Sequence, residues 1–440
     1  MFSLFLVHCK PPKRKTMAKI VKSPSQVTPF AGINFIDKML ERSGVLELID
    51  SQLGRRVKNS GYSYSDIFRT YWDIPFCGGE YAEDVQGHLR QTLKSMPKTA
   101  TPSSDTLLKG LKELAVDDTV VESDSLRRYN FNINVPLNNL NLDMLLKTGQ
   151  LKRGASYDFD YDNQVTEHGK WDAKRTYKGN TGYFPGVASI GDKVVWIENR
   201  DGNANVKLEQ AATLERAYTA LEGRGISVGR SRMDCGSYSQ AVIETVSKHS
   251  KLFYVRAQRS DDFHERASEI KGWRHVEINF RDVEVASLPF TRFLPEMGLR
   301  LVVQREKADT DQLDMFTGEK YIYRAILTND HESTEEEAII YYNQRGGIEK
   351  QFDILNNDFL WSRLPFSDIR HNTVFMIVMA MAKSFCNIVI QHVSKVFRDI
   401  PPVARMRTLI VRFVAVAGKW VRRARQDVLV LYTDRPYELI

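Results

Sequence analysis

The run Tyr157-Asp158-Phe159-Asp160-Tyr161-Asp162 constrains the fold more than any other stretch of the chain. Its period of two predicts a strand over 156–165, with Asp158, Asp160 and Asp162 on one face and the aromatic rings on the other. The aromatic face suits a core. The acidic face needs a cation against it or water around it, because neighbouring carboxylates repel and lose hydration on burial. A hard divalent ion such as Mg²⁺ meets that need, since it takes oxygen ligands and few protein carboxylates; a solvated edge strand is the other reading.

Two further acids stand in telling places. A helical pattern over 207–221 stops at Gly223 and Gly225, and a short strand over 226–233 then leads into Asp234, ahead of Gly236 and Ser237 and a helix over 238–249. An acid after the carboxyl end of a strand, before a loop that opens a helix, lies where open α/β sheets place ligand-binding groups; an ordinary helix-cap region reads the same way. Glu349 follows a segment in which Ser333 and Glu336 have capping-box spacing. Tyr342, Arg345 and Glu349 stand at i, i+3 and i+7 and share one face of a continuous helix, with Gly346 and Gly347 weakening that continuity.

Strands over 156–165, 183–190 and 193–199, a helix over 207–221, a strand over 226–233, a helix over 238–249 and a strand over 252–257 follow in order. This is the element order of a ribonuclease-H-like core. The first acid would lie on the first strand, the second after the fourth, and the third on a later helix.

On these residues the chain resembles the DDE transposases of bacterial insertion sequences, in the group whose third motif reads Y-x2-R-x3-E, matched by Tyr342, Arg345 and Glu349. The stretch from His168 to Pro185, the R-D-G-N at Arg200 to Asn203 and the N-N-D-F at Asn356 to Phe359 are also similar to members of that group. The resemblance implies an α/β fold: a ribonuclease-H-like core interrupted by a β-rich insertion, with a helical N-terminal DNA-binding region. It implies Asp160, Asp234 and Glu349 as catalytic ligands of two Mg²⁺ ions, with Mn²⁺ as a substitute, and leaves Asp158 and Asp162 as alternates for the first acid. Tyr342 and Arg345 become phosphate contacts or supports of the site. Two departures accompany it. Asn356 stands where the group often has lysine, and Asp162 ends a first motif that commonly reads D-x-D-x-T.

The rest of the chain divides accordingly. Residues 1–25 read as a disordered extension, with Met17 an alternative start; the opening apolar stretch lacks a basic leader and a cleavage pattern. Residues 26–150 are helical in pattern, with Ile33, Ile36, Met39 and Leu40 on one stripe and Gly44 as a stop. The core occupies 151–257 and 333–398, split by a strand-rich block over 258–332, in which Trp273 is a candidate base-stacking side chain or a core residue. The apolar run over 373–382 is broken by Lys383 well short of a membrane span and reads as a buried helix. Residues 399–440 are basic, and Arg422 and Arg423 are candidate DNA contacts there or part of a solvated face.

Composition agrees. With 62 Lys and Arg against 55 Asp and Glu the net charge is +7 and the pI about 9.0, which suits a phosphate backbone. Cys9, Cys77, Cys235 and Cys386 are too scattered for a disulfide framework or a zinc site, so a reducing cytoplasm is expected. The expected function is a transposase that binds double-stranded DNA at terminal inverted repeats and at a target, as a homodimer on paired ends with no membrane. A metal-dependent nuclease of the same fold and a non-catalytic DNA-binding regulator are the alternatives.

Overall fold

The computed structural model describes residues 26–56, 60–258, 261–307 and 321–440; the extension over 1–25 and the start at Met17 lie outside the described residues. The chain opens with α1 (Ile33–Ser43), α2 (Val45–Leu53), α3 (Tyr64–Phe76), α4 (Arg90–Ser95) and α5 (Ser104–Lys112), then β1 (Thr119–Glu122), β2 (Arg128–Asn132) and α6 (Val135–Lys147). Gly44 ends α1 at φ +70°, as the stop expected there requires. Ser63 and Asp66 form a capping box on α3, and Ser103 caps α5.

Next come β3 (Ser156–Asn163), the short strands β4 (Thr166–Glu167), β5 (Lys174–Arg175) and β6 (Thr181–Tyr183), then β7 (Gly186–Ile190), β8 (Lys193–Arg200), α7 (Gln210–Glu222), β9 (Ser227–Met233), α8 (Gln240–His249) and β10 (Ser250–Arg256). After α9 (Asp261–Ser268) follow β11 (Arg274–Ile278), β12 (Arg281–Pro289), β13 (Arg300–Lys307) and β14 (Tyr321–Thr328). The chain closes with α10 (Glu335–Asn343), α11 (Gly347–Asn357), α12 (Ile369–Val393), α13 (Met406–Leu409), β15 (Gly418–Arg423) and β16 (Gln426–Leu431).

Most of the strands join one sheet in the order β1-β2-β8-β7-β3-β9-β10-β14-β13-β12-β11. Its centre is mixed: β3 is antiparallel to β7 and parallel to β9, and β9 is parallel to β10. The parallel steps from β3 to β9 and from β9 to β10 require crossovers, which α7 and α8 supply. Phe159 and Tyr161, the aromatic face of β3, are fully buried against Tyr218 of α7 and Val242 and Val246 of α8. On the opposite side α12 packs against β8 and α6.

The strand-rich block over 258–332 extends the same sheet instead of stacking as a separate layer. β14 pairs with β10 through Tyr254↔Thr328 and Val255↔Leu327, so the parallel sheet passes into an antiparallel one without an exposed edge between them. Helix α10 covers that extension with Ala338, Ile339, Tyr341 and Tyr342.

The expected boundaries at 150 and 398 cross one continuous core. Ile33, Ile67, Phe68 and Trp72 from the N-terminal helices, Phe375 and Phe385 of α12, and Phe413 and Tyr437 near the C-terminus belong to a single buried cluster. Trp72 and Trp361 each donate an indole N–H to a backbone carbonyl of α12, at 3.1 Å to Val378 and to Met376. The α12 helix is long and apolar enough to cross a membrane, yet 89% of its most apolar window is buried inside the fold. Nor is the N-terminal region purely helical, because β1 and β2 close the sheet beyond β8; Asn130 N–H donates to Asp201 at 2.9 Å there. The C-terminal stretch forms a β15–β16 hairpin, since Ala424 and Arg425 at φ +47° and +65° turn the chain back.

Candidate active site

The parallel register of β3 and β9 sets the chemistry of the acidic face. Asp158 stands beside Arg230 and Asp160 beside Arg232, while the last registered pair is Tyr161 beside Met233. One residue further, Asp162 faces the turn that begins at Asp234. Two rungs of the seam therefore join an acid to a guanidinium, and the third brings two acids together.

Each rung behaves as its pairing dictates. Arg230 forks onto Asp158 with both contacts at 2.9 Å, and Arg232 onto Asp160 with both at 2.8 Å. The Asp160 pair is buried, with 7% and 8% of the two side chains exposed. Tyr341 of α10 lids both arginines, its ring 4.1 and 4.7 Å from their guanidinium carbons, and its carbonyl accepts from Arg232 at 3.1 Å. Burial pushes the Asp160 carboxyl up, and Arg232 pulls against it. Asp160 is thus saturated by protein.

Asp162 differs. It lines a cleft of about 1250 Å³ together with Asp234, Glu349 and Arg345, and Asp160 does not. Burial, with Asp234 and Glu349 adding to it, pushes its carboxyl up to about 6, and Arg345 counteracts with a contact at 2.7 Å. Of the three acids on this face, Asp162 is the one that lines the cleft, because β9 supplies an arginine at the two earlier rungs and none at the third.

The other acids reach the cleft by local structure. Asp234 caps a short 3₁₀ turn over Cys235–Ser237 and accepts the Gly236 N–H at 3.0 Å, which holds its carboxylate where β9 ends. Tyr342 donates its hydroxyl to the Met233 carbonyl at 3.1 Å, bracing the residue before Asp234; the tyrosine is buried and serves as a support. Glu349 is exposed in the first turn of α11. Between Tyr342 and Glu349 the helix tightens into a 3₁₀ turn over Gln344–Gly346, and Gly346 and Gly347 keep right-handed helical angles. The glycines change the pitch without breaking the path. The capping box of α10 sits one residue later than expected, at Thr334 and Glu337, because the Ser333 N–H is taken by Asp330.

Among the described residues no three acidic, histidine or cysteine side chains are already grouped to chelate one ion. The donor set nevertheless suits a hard cation: carboxylates from three elements line one cleft, and the upward push on the Asp162 carboxyl is what a cation would relieve.

The remaining expected contacts lie elsewhere. Trp273 precedes β11 at the far edge of the sheet, half-buried, with Arg305 over its ring at 4.2 Å, and it does not line the cleft. Arg422 and Arg423 are exposed at the β15–β16 tip, also away from the cleft. Asn356 does line it, one helical face along from Glu349. Arg127, Arg175, Tyr177 and Lys178 line it too; the last three fall in the His168 to Pro185 stretch, where cations mixed with an aromatic residue were the signal, and nothing in the sequence marked Arg127. The R-D-G-N motif divides, with Gly202 and Asn203 lining the cleft and the first two residues structural. Arg200 is fully buried and donates to the Leu208 carbonyl at 2.9 Å, while Asp201 accepts from β2.

No curated protein matches the chain. Among solved structures, a cryo-EM structure of a piggyBac transposase synaptic complex with hairpin DNA aligns at 12% identity and a TM-score of 0.37, over 88% of this chain and 85% of that one. The family model of the transposase DDE domain, group 1, matches residues 154–440, which span β3, the Asp234 turn and α11 alike. The chain belongs to that transposase family.

Proposed function

We propose that this protein is a metal-dependent DNA transposase that binds the terminal inverted repeats of its element, cuts at the element ends and joins the freed 3′-OH to target DNA. One observation carries the reading: Asp162, Asp234 and Glu349 come from β3, from the end of β9 and from α11 to line a single cleft in a chain of this family. The strand order β8-β7-β3-β9-β10, with helices crossing between the parallel strands, supports a ribonuclease-H-like core. On this reading the strands of 258–332 are its insertion and the N-terminal helices a DNA-binding region.

Asp162, Asp234 and Glu349 would hold divalent ions, with Mg²⁺ the expected species and two the expected number. When bound, such ions activate water and stabilise charge on the attacking and leaving oxygens. The protein's own part is positional. Tyr342 and the Gly236 N–H fix Asp234, Arg345 balances Asp162 at the cleft wall, and Arg232 keeps Asp160 out of the reaction. Hydrolysis and strand transfer are the same in-line displacement with different nucleophiles, so one cleft serves both. A homodimer on paired ends and a bacterial insertion-sequence origin belong to the same proposal.

The test is incubation of the full chain with Mg²⁺ and a labelled duplex carrying the repeats that flank its gene. Cleavage at the element boundary and joined products are expected. Cleavage without joining would indicate a nuclease, and binding with no cleavage in Mg²⁺ or Mn²⁺ a regulator.

A further inference from the structure

Between Asp162 and β7 the chain does not turn directly but builds the separate sheet β4-β6-β5. This flap is docked by backbone contact. A Cβ on Gly182 would lie 2.2 Å from the Thr166 carbonyl oxygen, and one on Gly202 2.2 Å from that of Gly182, so both positions need glycine. Its tip is closed as well. Thr176 N–H donates to the Asn180 carbonyl at 2.7 Å, Gly179 takes φ +85°, and the Asn180 amide donates to Glu167 at 2.8 Å.

That rigid tip carries Tyr177, 73% exposed although it lines the same cleft as the three acids. Its ring packs T-shaped against Phe184 at 5.6 Å, and the Lys178 ammonium stands 5.9 Å from its centroid. Arg127, Arg175 and Lys178 line the cleft around it, and among the described residues none of the three has a carboxylate within salt-bridge distance. Arg345, in the same cleft, does. An exposed ring among unpaired cations is suited to a nucleic-acid strand, the bases offering faces to stack and the phosphates offering charge. Trp273 lacks that setting, since it lies outside the cleft and Arg305 stands closer to its ring, at 4.2 Å, than Lys178 does to that of Tyr177.

We propose that the β4–β6 flap grips the DNA strand next to the cut, with Tyr177 stacking on a base and Arg127, Arg175 and Lys178 holding the flanking phosphates. The proposal rests on the transposase reading. It places strand recognition on the segment that directly follows Asp162, so that gripping DNA and aligning it with the acids are done by one stretch of chain.

The experiment uses the full chain in EDTA, where no cutting occurs, and repeat-bearing duplexes with 2-aminopurine placed in turn at each position around the element boundary. Wild type is expected to quench the probe at one or two positions. Tyr177→Ala should abolish that quenching and weaken binding roughly tenfold, equivalent to about 1.4 kcal/mol. Tyr177→Phe should keep both, and Arg175→Ala with Lys178→Ala should lower the salt slope of binding by about 2. Unchanged quenching in Tyr177→Ala, loss in Tyr177→Phe equal to that in Tyr177→Ala, or an unchanged salt slope overturns the proposal. A parallel Mg²⁺ reaction separates the two readings. Cutting with quenching indifferent to Tyr177 sinks the flap alone, and Tyr177-dependent quenching without cutting sustains the flap and sinks the transposase.

Discussion

Along the seam between β3 and β9, the first two rungs and the third present the same carboxylate from β3 but opposite charges from β9. At Asp158 and Asp160 the opposing residues are Arg230 and Arg232, and the acids are paired, forked and shielded by Tyr341. At Asp162 the opposing strand has reached Asp234, and repulsion and burial leave the carboxyl raised to about 6. The difference teaches that residue type on one strand does not assign a role. The neighbour across the seam decides whether an acid is closed in an ion pair or left facing the cleft.

The largest expected effect separates the rungs directly. Asp162→Ala should slow strand cleavage by roughly a thousandfold or more, about 4 kcal/mol of barrier, with DNA binding near wild type. Replacing the second rung as a unit, Asp160→Leu with Arg232→Met, should leave cleavage largely intact, because a buried pair exchanged for apolar side chains is often neutral. A Mg²⁺ cleavage gel reads both. A dead double variant beside an active Asp162→Ala would reverse the comparison.

Breaking the second rung on one side only should appear in stability. Asp160→Ala strands the Arg232 guanidinium in a buried site, for a loss of about 3–5 kcal/mol in denaturant unfolding. A loss below 1 kcal/mol, roughly the value of a surface pair, would mean that water reaches that arginine.

The third rung should respond to pH through Asp162. Its folded pKa of about 6 lies above the unfolded value, so the unfolded chain loses the proton first and stability falls as pH rises from about 4 to about 6, then levels. In metal-free buffer at pH 8 the ionised Asp162 then costs on the order of 3 kcal/mol, and Asp162→Asn should raise the melting temperature there and scarcely at pH 4. Equal shifts at both pH values would show that Arg345 fully balances the charge.

The smallest effect concerns the brace beneath Asp234. Tyr342→Phe removes the hydroxyl donated to the Met233 carbonyl and should cost about 1 kcal/mol, with a modest drop in cleavage rate. Unchanged stability and rate would make the aromatic packing of Tyr342 its whole contribution.

Much of this molecule was legible before any coordinates. The alternation in 156–163 set a strand with an aromatic core face, Gly44 and Gly223 ended helices, and the long apolar run over 373–382 was a buried helix. The spacing of Tyr342, Arg345 and Glu349 was a sound guide to one helical path because local capping and periodicity carry it. Even the seam left a trace, since Arg230-x-Arg232-x-Asp234 answers Asp158-x-Asp160-x-Asp162 position by position. Reading it required the register between strands about seventy residues apart, which no local periodicity encodes.

Which segments are strands and helices, and that three acids share one face of β3, follow from near-neighbour sterics and hydrophobic period, which the order of residues carries. Only the tertiary structure decided that Asp160 is closed and Asp162 open, that Trp273 lies beneath Arg305 at the far sheet edge, and that Tyr177 faces the acids. Each of those depends on what stands across a gap from the residue, and charge pairing and burial act through space between segments that the chain order keeps apart.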